Sequence, residues 1–496
     1  MESAYILVID QSTSGTKALL FNEYAKPVSR SDKQHRQIYP EPGWVEHDPE
    51  EIYQNVLQVM GEVIQNTGII SENIKCLSIT NQRETVLIWD RHTGKPVYNA
   101  IVWQCMRGGK KCNELKEKGY EGIIRQKTGL IIDPYFSASC LNWLLQHDPL
   151  IMKNAQAGKL LAGTIDTWLI WKLTSGKVHA TDFSNACRTL LLNINTMKWD
   201  DEICSLFDVP VTILPELKNA DEIFGYTDAE GIFKRKIPLS GVLGDSHGAL
   251  FGQRCYQKGL SKITYGTGSS VMMNIGAQVT EAPEGLVTSV GYSIKGRTDY
   301  VFEGNIHSTG ATIKWMADSL EILKGSAESE SVASSVTSAG GVYFVPAFSG
   351  MGAPYWNNTA KAVISGIHGG TLKAHVVRAG LESIAYQVKD LIDLMLEKSG
   401  IDLIEVRADG GPTNNNFLMQ FQSDMLNTPV LVSDVEEASA LGAALAGGLG
   451  TGMWKDLSEI EELYAVRIKK IPQMRAAQRE SLYSGWKKAV HMALGI

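Results

Sequence analysis

Cysteine is scarce in this chain: seven residues in 496, an odd number, with no Cys-x-x-Cys pair. A disulfide framework and a zinc ribbon are thereby excluded, and free thiols in a reducing compartment are expected. Long apolar runs are also missing. The N-terminal stretch Ala4 to Ile9 is short, lacks a basic flank and ends at Asp10, so it does not read as a secretory leader. Residues 438–450 are apolar but too short and too rich in glycine to span a bilayer. Neither sign of charge dominates: 47 basic against 54 acidic residues gives a net charge of −7. So mild an acidity offers no general attraction for nucleic acid or for an anionic membrane. No low-complexity segment and no long charge run occurs. A cytoplasmic protein with no nucleic-acid or membrane partner is the expectation.

The standard nucleotide motifs are absent too. The Gly-Lys pairs at 94–95, 109–110, 158–159 and 176–177 each lack the following hydroxyl residue of a phosphate-binding P-loop. Gly266-x-Gly268 does not continue to a third glycine at the dinucleotide spacing, and there is no protein-kinase catalytic loop or Asp-Phe-Gly. A bound nucleotide has to be held in some other way.

What is present is an ordinary globular composition, 44% hydrophobic and 20% charged. At about 150 residues per domain, the length suits three domains or two large ones. Residues 5–9 read as a buried strand, 10–16 as a small-residue turn and 17–21 as a second strand. Half a chain later the pattern returns, with strands at 260–265 and 270–275 around Gly266-Thr-Gly-Ser269. Helical spacing over 49–64 and 373–397, with strands at 74–80 and 404–408, gives an α/β fold. The repeated hairpin suggests two related α/β units that meet near 250–260.

Three turns at strand ends carry small residues: 10–16, 266–270 and 409–411. Their backbone N–H groups can approach an anion, and Asp10 at a strand end can hold Mg²⁺ through water. Each alone also suits a plain turn; three together favour phosphate. Asn81-Gln-Arg-Glu84 follows a strand. A guanidinium beside a carboxylate there can grip vicinal hydroxyls, one donating and one accepting, though a surface ion pair is the ordinary reading. Gly244-Asp-Ser-His-Gly248 is open to three readings. It fits the nucleophile elbow of serine hydrolases with Ser246 as nucleophile and His307, His368 or His375 as base. Pro238 and Gly241 in the preceding stretch speak against that. Alternatively Asp245 is a general base for a substrate hydroxyl, or simply a helix cap. Trp103, Tyr135 and Trp168 can line a pocket or fill a core. Asp166 reads as structural, and Arg378 with Glu382 as a salt bridge on a domain-facing surface.

Taken together, these segments resemble the FGGY carbohydrate kinases over nearly the whole length. The resemblance rests on Asp10-Gln-Ser-Thr-Ser-Gly-Thr16, Gly43-Trp-Val-Glu-His-Asp-Pro49, Asn81-Gln-Arg-Glu-Thr85, and the stretches 128–138, 163–171, 265–269, 346–356, 409–411 and 415–424. It implies two actin/hexokinase-like (ribonuclease H-like) domains, 1–251 for the polyol or sugar and 252–496 for the nucleotide, flanking a central cleft. The implied activity is an ATP-dependent, Mg²⁺-assisted phosphorylation of a primary hydroxyl of a small polyol. Glycerol is the first candidate; another polyol or a ketose of the erythritol, xylulose or ribulose type is the alternative. A homodimer or homotetramer is expected. By motif position, Asp245 is the implied base, and Arg83, Glu84, Tyr135, Asp245 and Ser246 the implied acceptor-binding residues. Thr13, Ser14, Gly15, Lys17, Thr267, Gly310, Lys314, Gly411 and Asn415 are implied at the nucleotide, and Asp10 at the metal. Several positions depart from the family pattern. Ser246-His247 follows the base where Gln is usual, Cys105-Met106 replaces Asp-Arg, Lys17 replaces Arg, Lys314 replaces Gln and Cys140 replaces Lys. The segment around His307 is atypical. Neither the inhibitory loop nor the regulatory His of some members is recognisable at 229–236. A serine hydrolase using Ser246 and a non-catalytic sugar sensor are the remaining alternatives.

Overall fold

The computed structural model describes residues 4–357 and 359–496, so the first three residues of the 1–251 segment lie outside it. Strand β1 (Tyr5–Gln11) forms from a run whose Ile6 to Ile9 side chains are all inaccessible to solvent, as a strand covered on both faces requires. It turns at Ser12–Ser14 into antiparallel β2 (Gly15–Asn22), which pairs with β3 (Pro27–Gln34). Helix α1 (Pro49–Thr67) starts where Asp48 accepts from the Glu50 and Glu51 N–H groups, with Pro49 in the first turn. It ends at Gly68, whose φ of 64° is left-handed. Strands β4 (Ile74–Asn81), β5 (Gly225–Thr227) and β6 (Ile237–Gly244) complete a six-stranded sheet in the order β5-β6-β4-β1-β2-β3. Both β1 and β6 run parallel to β4.

After helix α2 (Asp245–Gly252) the plan repeats. Strands β7 (Leu260–Tyr265) and β8 (Ser269–Gly276) form the second hairpin, extended by β9 (Val287–Ile294) and β10 (Arg297–Ile306). Helices α3 (Gly310–Asp318) and α4 (Lys373–Ser399) follow. Strand β11 (Glu405–Asp409), α5 (Asn416–Leu426), β12 (Val430–Ser433), α6 (Ala438–Gly450) and β13 (Val466–Lys470) complete the set. The second sheet has the order β9-β10-β8-β7-β11-β12-β13, with β7 parallel to β11. Thus β6-β4-β1-β2-β3 and β12-β11-β7-β8-β10 are the same arrangement, which makes the internal repeat a matter of topology.

The two sheets are joined through α2 and α6. These helices share a core with Ile6, Val8 and Leu243 of the first sheet and Met272 and Tyr292 of the second. Their backbones touch: a Cβ built on Gly442 of α6 would stand 1.9 Å from the Gly248 carbonyl oxygen of α2. Of three sequence readings, one is corrected, one alternative is selected and one is refined here. Pro238 and Gly241 do not interrupt a strand: Pro238 keeps its register opposite Tyr226 of β5, and a bulge between Leu239 and Val242 takes up Gly241 at φ 82°. Trp168 lines no pocket; it packs against Trp89, ring centroids 5.3 Å apart, in the first core. The Arg378–Glu382 bridge forms at 2.8 Å as spaced, but Glu382 is buried and accepts also from the Tyr386 hydroxyl.

Candidate active site

Strand ends place the chemistry. Asp10 lies near the C-terminal end of β1, Arg83 follows β4 and Asp245 follows β6, three neighbouring strands running the same way. Open α/β sheets collect ligands outside such carboxyl ends. In the second sheet Thr267 follows β7 and Asp409 ends β11, its parallel neighbour. The two sets of strand ends are brought together by Arg83, which crosses from one sheet to the other.

Arg83 is buried and every edge of its guanidinium is engaged. Its Nε donates to Asp245 Oδ1 at 3.1 Å, and Nη2 donates to Ser246 Oγ at 3.2 Å. Nη1 and Nη2 grip Glu303 of β10 bidentately at 3.2 and 3.0 Å. Arg188 completes the floor, donating from Nε to Glu84 at 2.6 Å and from Nη1 to Glu303 at 2.8 Å. Arg83 and Glu84, adjacent in sequence, therefore do not pair with each other. Two buried cations and two buried carboxylates balance in an alternating chain, Glu84–Arg188–Glu303–Arg83. Burial pushes the Glu303 carboxyl up, and Arg188 and Arg83 more than offset it, holding it well below the usual range. Glu84 is pushed up by burial against the pull of the same two arginines. Its φ of 63° is strained for a residue with a side chain and sits beside the site. Gly244 has no Cβ because one would stand 2.6 Å from Arg83 Cγ.

Asp245 differs from these. Its side chain is 41% accessible while Arg83 holds it from behind, and it occupies the first position of α2, with Gly244 as the N-cap. Burial drives the His247 imidazole, with Arg83 beside it, well below its usual range, and among the described residues its Nε2 has no partner. Tyr135 stacks edge-on against Trp103 at 5.4 Å, and the Arg188 guanidinium lies over its ring at 5.8 Å. Trp103 Nε1 in turn donates to Thr13 Oγ1 at 2.9 Å, tying the aromatic wall to the first turn.

That turn carries Thr13, Ser14 and Gly15, with Ser14 exposed. Lys17 reaches back to Asp10 at 3.9 Å and across to Glu437 of the second half at 2.9 Å. Burial raises Asp10 to about 6, Lys17 lowering it and Glu437 and Asp245 adding to the rise. In the second sheet, the Gly266 carbonyl receives the N–H of Gly310 at 3.0 Å, which sets the start of α3 against the Thr267 turn. Gly410 sits at φ 95°, and a Cβ there would lie 1.9 Å from the Tyr265 carbonyl oxygen, so only glycine fits; Gly411 follows in open space. Asn415 caps α5, accepting from the Leu418 N–H, and its Nδ2 donates to Ser329. Lys314 is exposed and paired with Asp318 at 2.6 Å. Arg188 and Glu303 escaped the sequence reading: no local motif marks them, and their charged partners lie a hundred or more positions away.

The elbow geometry of strand, turn and helix is present at 237–252, yet Ser246 is not set up as a nucleophile. Its Oγ accepts from a guanidinium. Of the proposed bases, His368 Nδ1 accepts from Gly370, His375 Nδ1 accepts from Leu372, and His307 lies against Gly352.

Two like-built sheets meeting at an arginine-bridged floor, with three glycine-bearing turns at strand ends, define a two-domain phosphotransferase. The model of the N-terminal domain of the FGGY family of carbohydrate kinases matches residues 5–252, and that of its C-terminal domain matches 261–451. The chain belongs to the FGGY family of carbohydrate kinases, enzymes that take ATP as donor and a small sugar or polyol as acceptor. It is 53% identical over 490 residues to glycerol kinase 1 of Thermotoga maritima, 99% of each chain being covered. It is 48% identical over 490 residues to a glycerol kinase of Caldanaerobacter subterraneus, covering 99% of this chain and 98% of that one. Among solved structures, Plasmodium falciparum glycerol kinase with ADP superposes with a TM-score of 0.94 at 37% identity, covering 99% of this chain and 98% of that one. Gluconate kinase of Lactobacillus acidophilus shares the fold with a TM-score of 0.90 at 20% identity, over 99% of this chain and 98% of that one.

Proposed function

We propose that the chain transfers the terminal phosphoryl group of ATP to a primary hydroxyl of glycerol, giving glycerol 3-phosphate. The observation that carries the chemistry is the contrast among the floor carboxylates. Glu84 and Glu303 are buried and neutralised by arginines, whereas Asp245 is accessible and fixed by Arg83. The kinship with three glycerol kinases at 37–53% identity supports the acceptor.

In this reading Asp245 takes the proton of the acceptor hydroxyl, and the freed oxygen attacks the terminal phosphorus in line as the bridging bond to ADP breaks. Arg83 orients the base; Glu84, Tyr135 and Ser246 hold the remaining hydroxyls, and Trp103 covers the carbon skeleton. The turns at Thr13–Gly15, Thr267 and Gly411 present backbone N–H groups to the phosphates, with Lys17, Gly310, Lys314 and Asn415 bordering the nucleotide. Such transfers depend on positioning and charge stabilisation more than on covalent help. Residues 1–251 and 252–496 act as the acceptor and nucleotide lobes. Asp10 suits Mg²⁺: its buried carboxyl is under-compensated by a lysine 3.9 Å away, so a cation restores its charge. Among the described residues no group of three ligating side chains could hold a metal, which fits an ion held through water and phosphate. When bound, Mg²⁺ would neutralise charge on the phosphoryl oxygens. Seven buried, unpaired cysteines support a reducing, cytoplasmic setting, and among the described residues no helix is long and apolar enough to cross a membrane.

Ser246, short where the family usually has Gln, favours a second reading with a longer polyol or a ketose. A coupled ADP-release assay over glycerol, erythritol and pentuloses separates the two, the larger kcat/KM naming the acceptor. In the same assay Asp245→Asn is expected to lower kcat by about 10²–10⁴-fold; turnover near the parent's would remove Asp245 as the base.

A further inference from the structure

Lys262 of β7 is fully buried, and its ammonium donates to a single hydroxyl, Ser270 Oγ of β8, at 3.2 Å. Among the described residues no carboxylate comes within 4.0 Å of it. A buried ammonium without a close counter-ion is costly, and a strand core needs none. The arrangement at the start of α2 is alike: Ser246 Oγ accepts from the buried Arg83 guanidinium at 3.2 Å. Lysine and arginine donate only, so each hydroxyl spends a lone pair on its cation and keeps its proton for another acceptor. Among the described residues neither serine donates to the protein, and both are partly accessible.

The sheet register brings the two into one neighbourhood. Ser270 stands opposite Asn305 on β10, and Glu303 is the diagonal neighbour on the same face, a step of about 7–8 Å. Glu303 is the residue that grips Arg83, and Arg83 holds Ser246 and Asp245. Ser246, from helix α2, and Ser270, from β8, therefore both neighbour the Arg83–Glu303 bridge.

We propose that Ser270 is a specificity-determining residue of the acceptor site, made an obligate donor by Lys262 behind it, and that with Ser246 it serves an oxygen of the acceptor other than the one phosphorylated. Lys262 is a positioning residue, acting through Ser270. The proposal rests on the kinase reading above. Two donors fixed in this way accept a hydroxyl or a carbonyl oxygen equally and reject a methylene, which leaves both unpaired. A site built to bond such a group discriminates against its absence by as much as about 10⁴-fold.

The test compares kcat/KM for glycerol with that for 1,2-propanediol and 1,3-propanediol in the full chain. Ser270→Ala is expected to lower the preference for glycerol over at least one of the two diols by tenfold or more, while Ser270→Thr, which keeps the hydroxyl, retains it. Lys262→Met is expected to mimic Ser270→Ala. The Ser246→Ala/Ser270→Ala pair should lose less than the sum of the single losses, since both serve one oxygen. Preferences within twofold of the parent in Ser270→Ala, for both diols, overturn the proposal even if Lys262→Met fails to fold. If the parent phosphorylates a different polyol and not glycerol, the glycerol reading falls; the same ratio is then measured on that polyol against its deoxy analogues, with the same two outcomes deciding.

Discussion

Glu303 shows how much one side chain can hold. It balances two buried arginines at once, Arg83 and Arg188, and replacing it with alanine leaves both uncompensated. A broken buried pair costs about 3–5 kcal/mol, so Glu303→Ala is expected to lower the urea midpoint strongly and to lose activity through Arg83 as well. A midpoint equal to the parent's would mean that solvent reaches the floor. The sequence announces only part of this arrangement. Asp10, Arg83, Asp245 and the glycine turns are legible because each sits in a short pattern at the end of an apolar strand. Glu303 and Arg188 are not, because ion pairing across sheets has no local period. The adjacency of Arg83 and Glu84 even misleads: the two face different partners once the strand end twists through the left-handed conformation of Glu84.

At the scale of elements, apolar runs and helical stripes locate β1, β2, β4, β7, β8, β11, α1 and α4 to within a few residues, and leave the other labelled strands and helices unread. The strand 237–244 is hidden by Pro238 and Gly241, both of which weaken a strand pattern; only Gly241 falls in the bulge. Helical glycines divide into two kinds. A Cβ on Gly61 of α1 meets nothing within 4 Å. Gly61→Ala is therefore expected to stabilise by about 0.5–1 kcal/mol through the unfolded chain and the helix, read as a raised melting temperature. Gly442→Ala is expected to do the opposite, since its Cβ would enter the Gly248 carbonyl.

For the molecule as a whole, buried carboxylates set the response to pH. Asp182 is raised to about 7 by burial, with Asp166 adding to the rise, and Asp166 itself to about 6 by burial. Both lie above the ordinary 3.8, so the native state keeps protons that the unfolded chain releases. The stability this confers is complete below pH about 4 and is lost as pH rises through about 6 to 7. Asp166→Asn removes the like charge beside Asp182 and is expected to shrink the drop in stability between pH 5 and pH 8, followed by denaturant titration at the two values. An unchanged drop would mean the two carboxylates do not sense each other.

The bare backbone contact between α2 and α6 has a consequence for anyone altering this enzyme. Exchanging helical glycines for alanine is a routine route to thermostability, but at the contact of α2 with α6 it forces apart two helices whose backbones touch. Heat tolerance is better sought on the outer helices such as α1, leaving that seam as smooth as it is found.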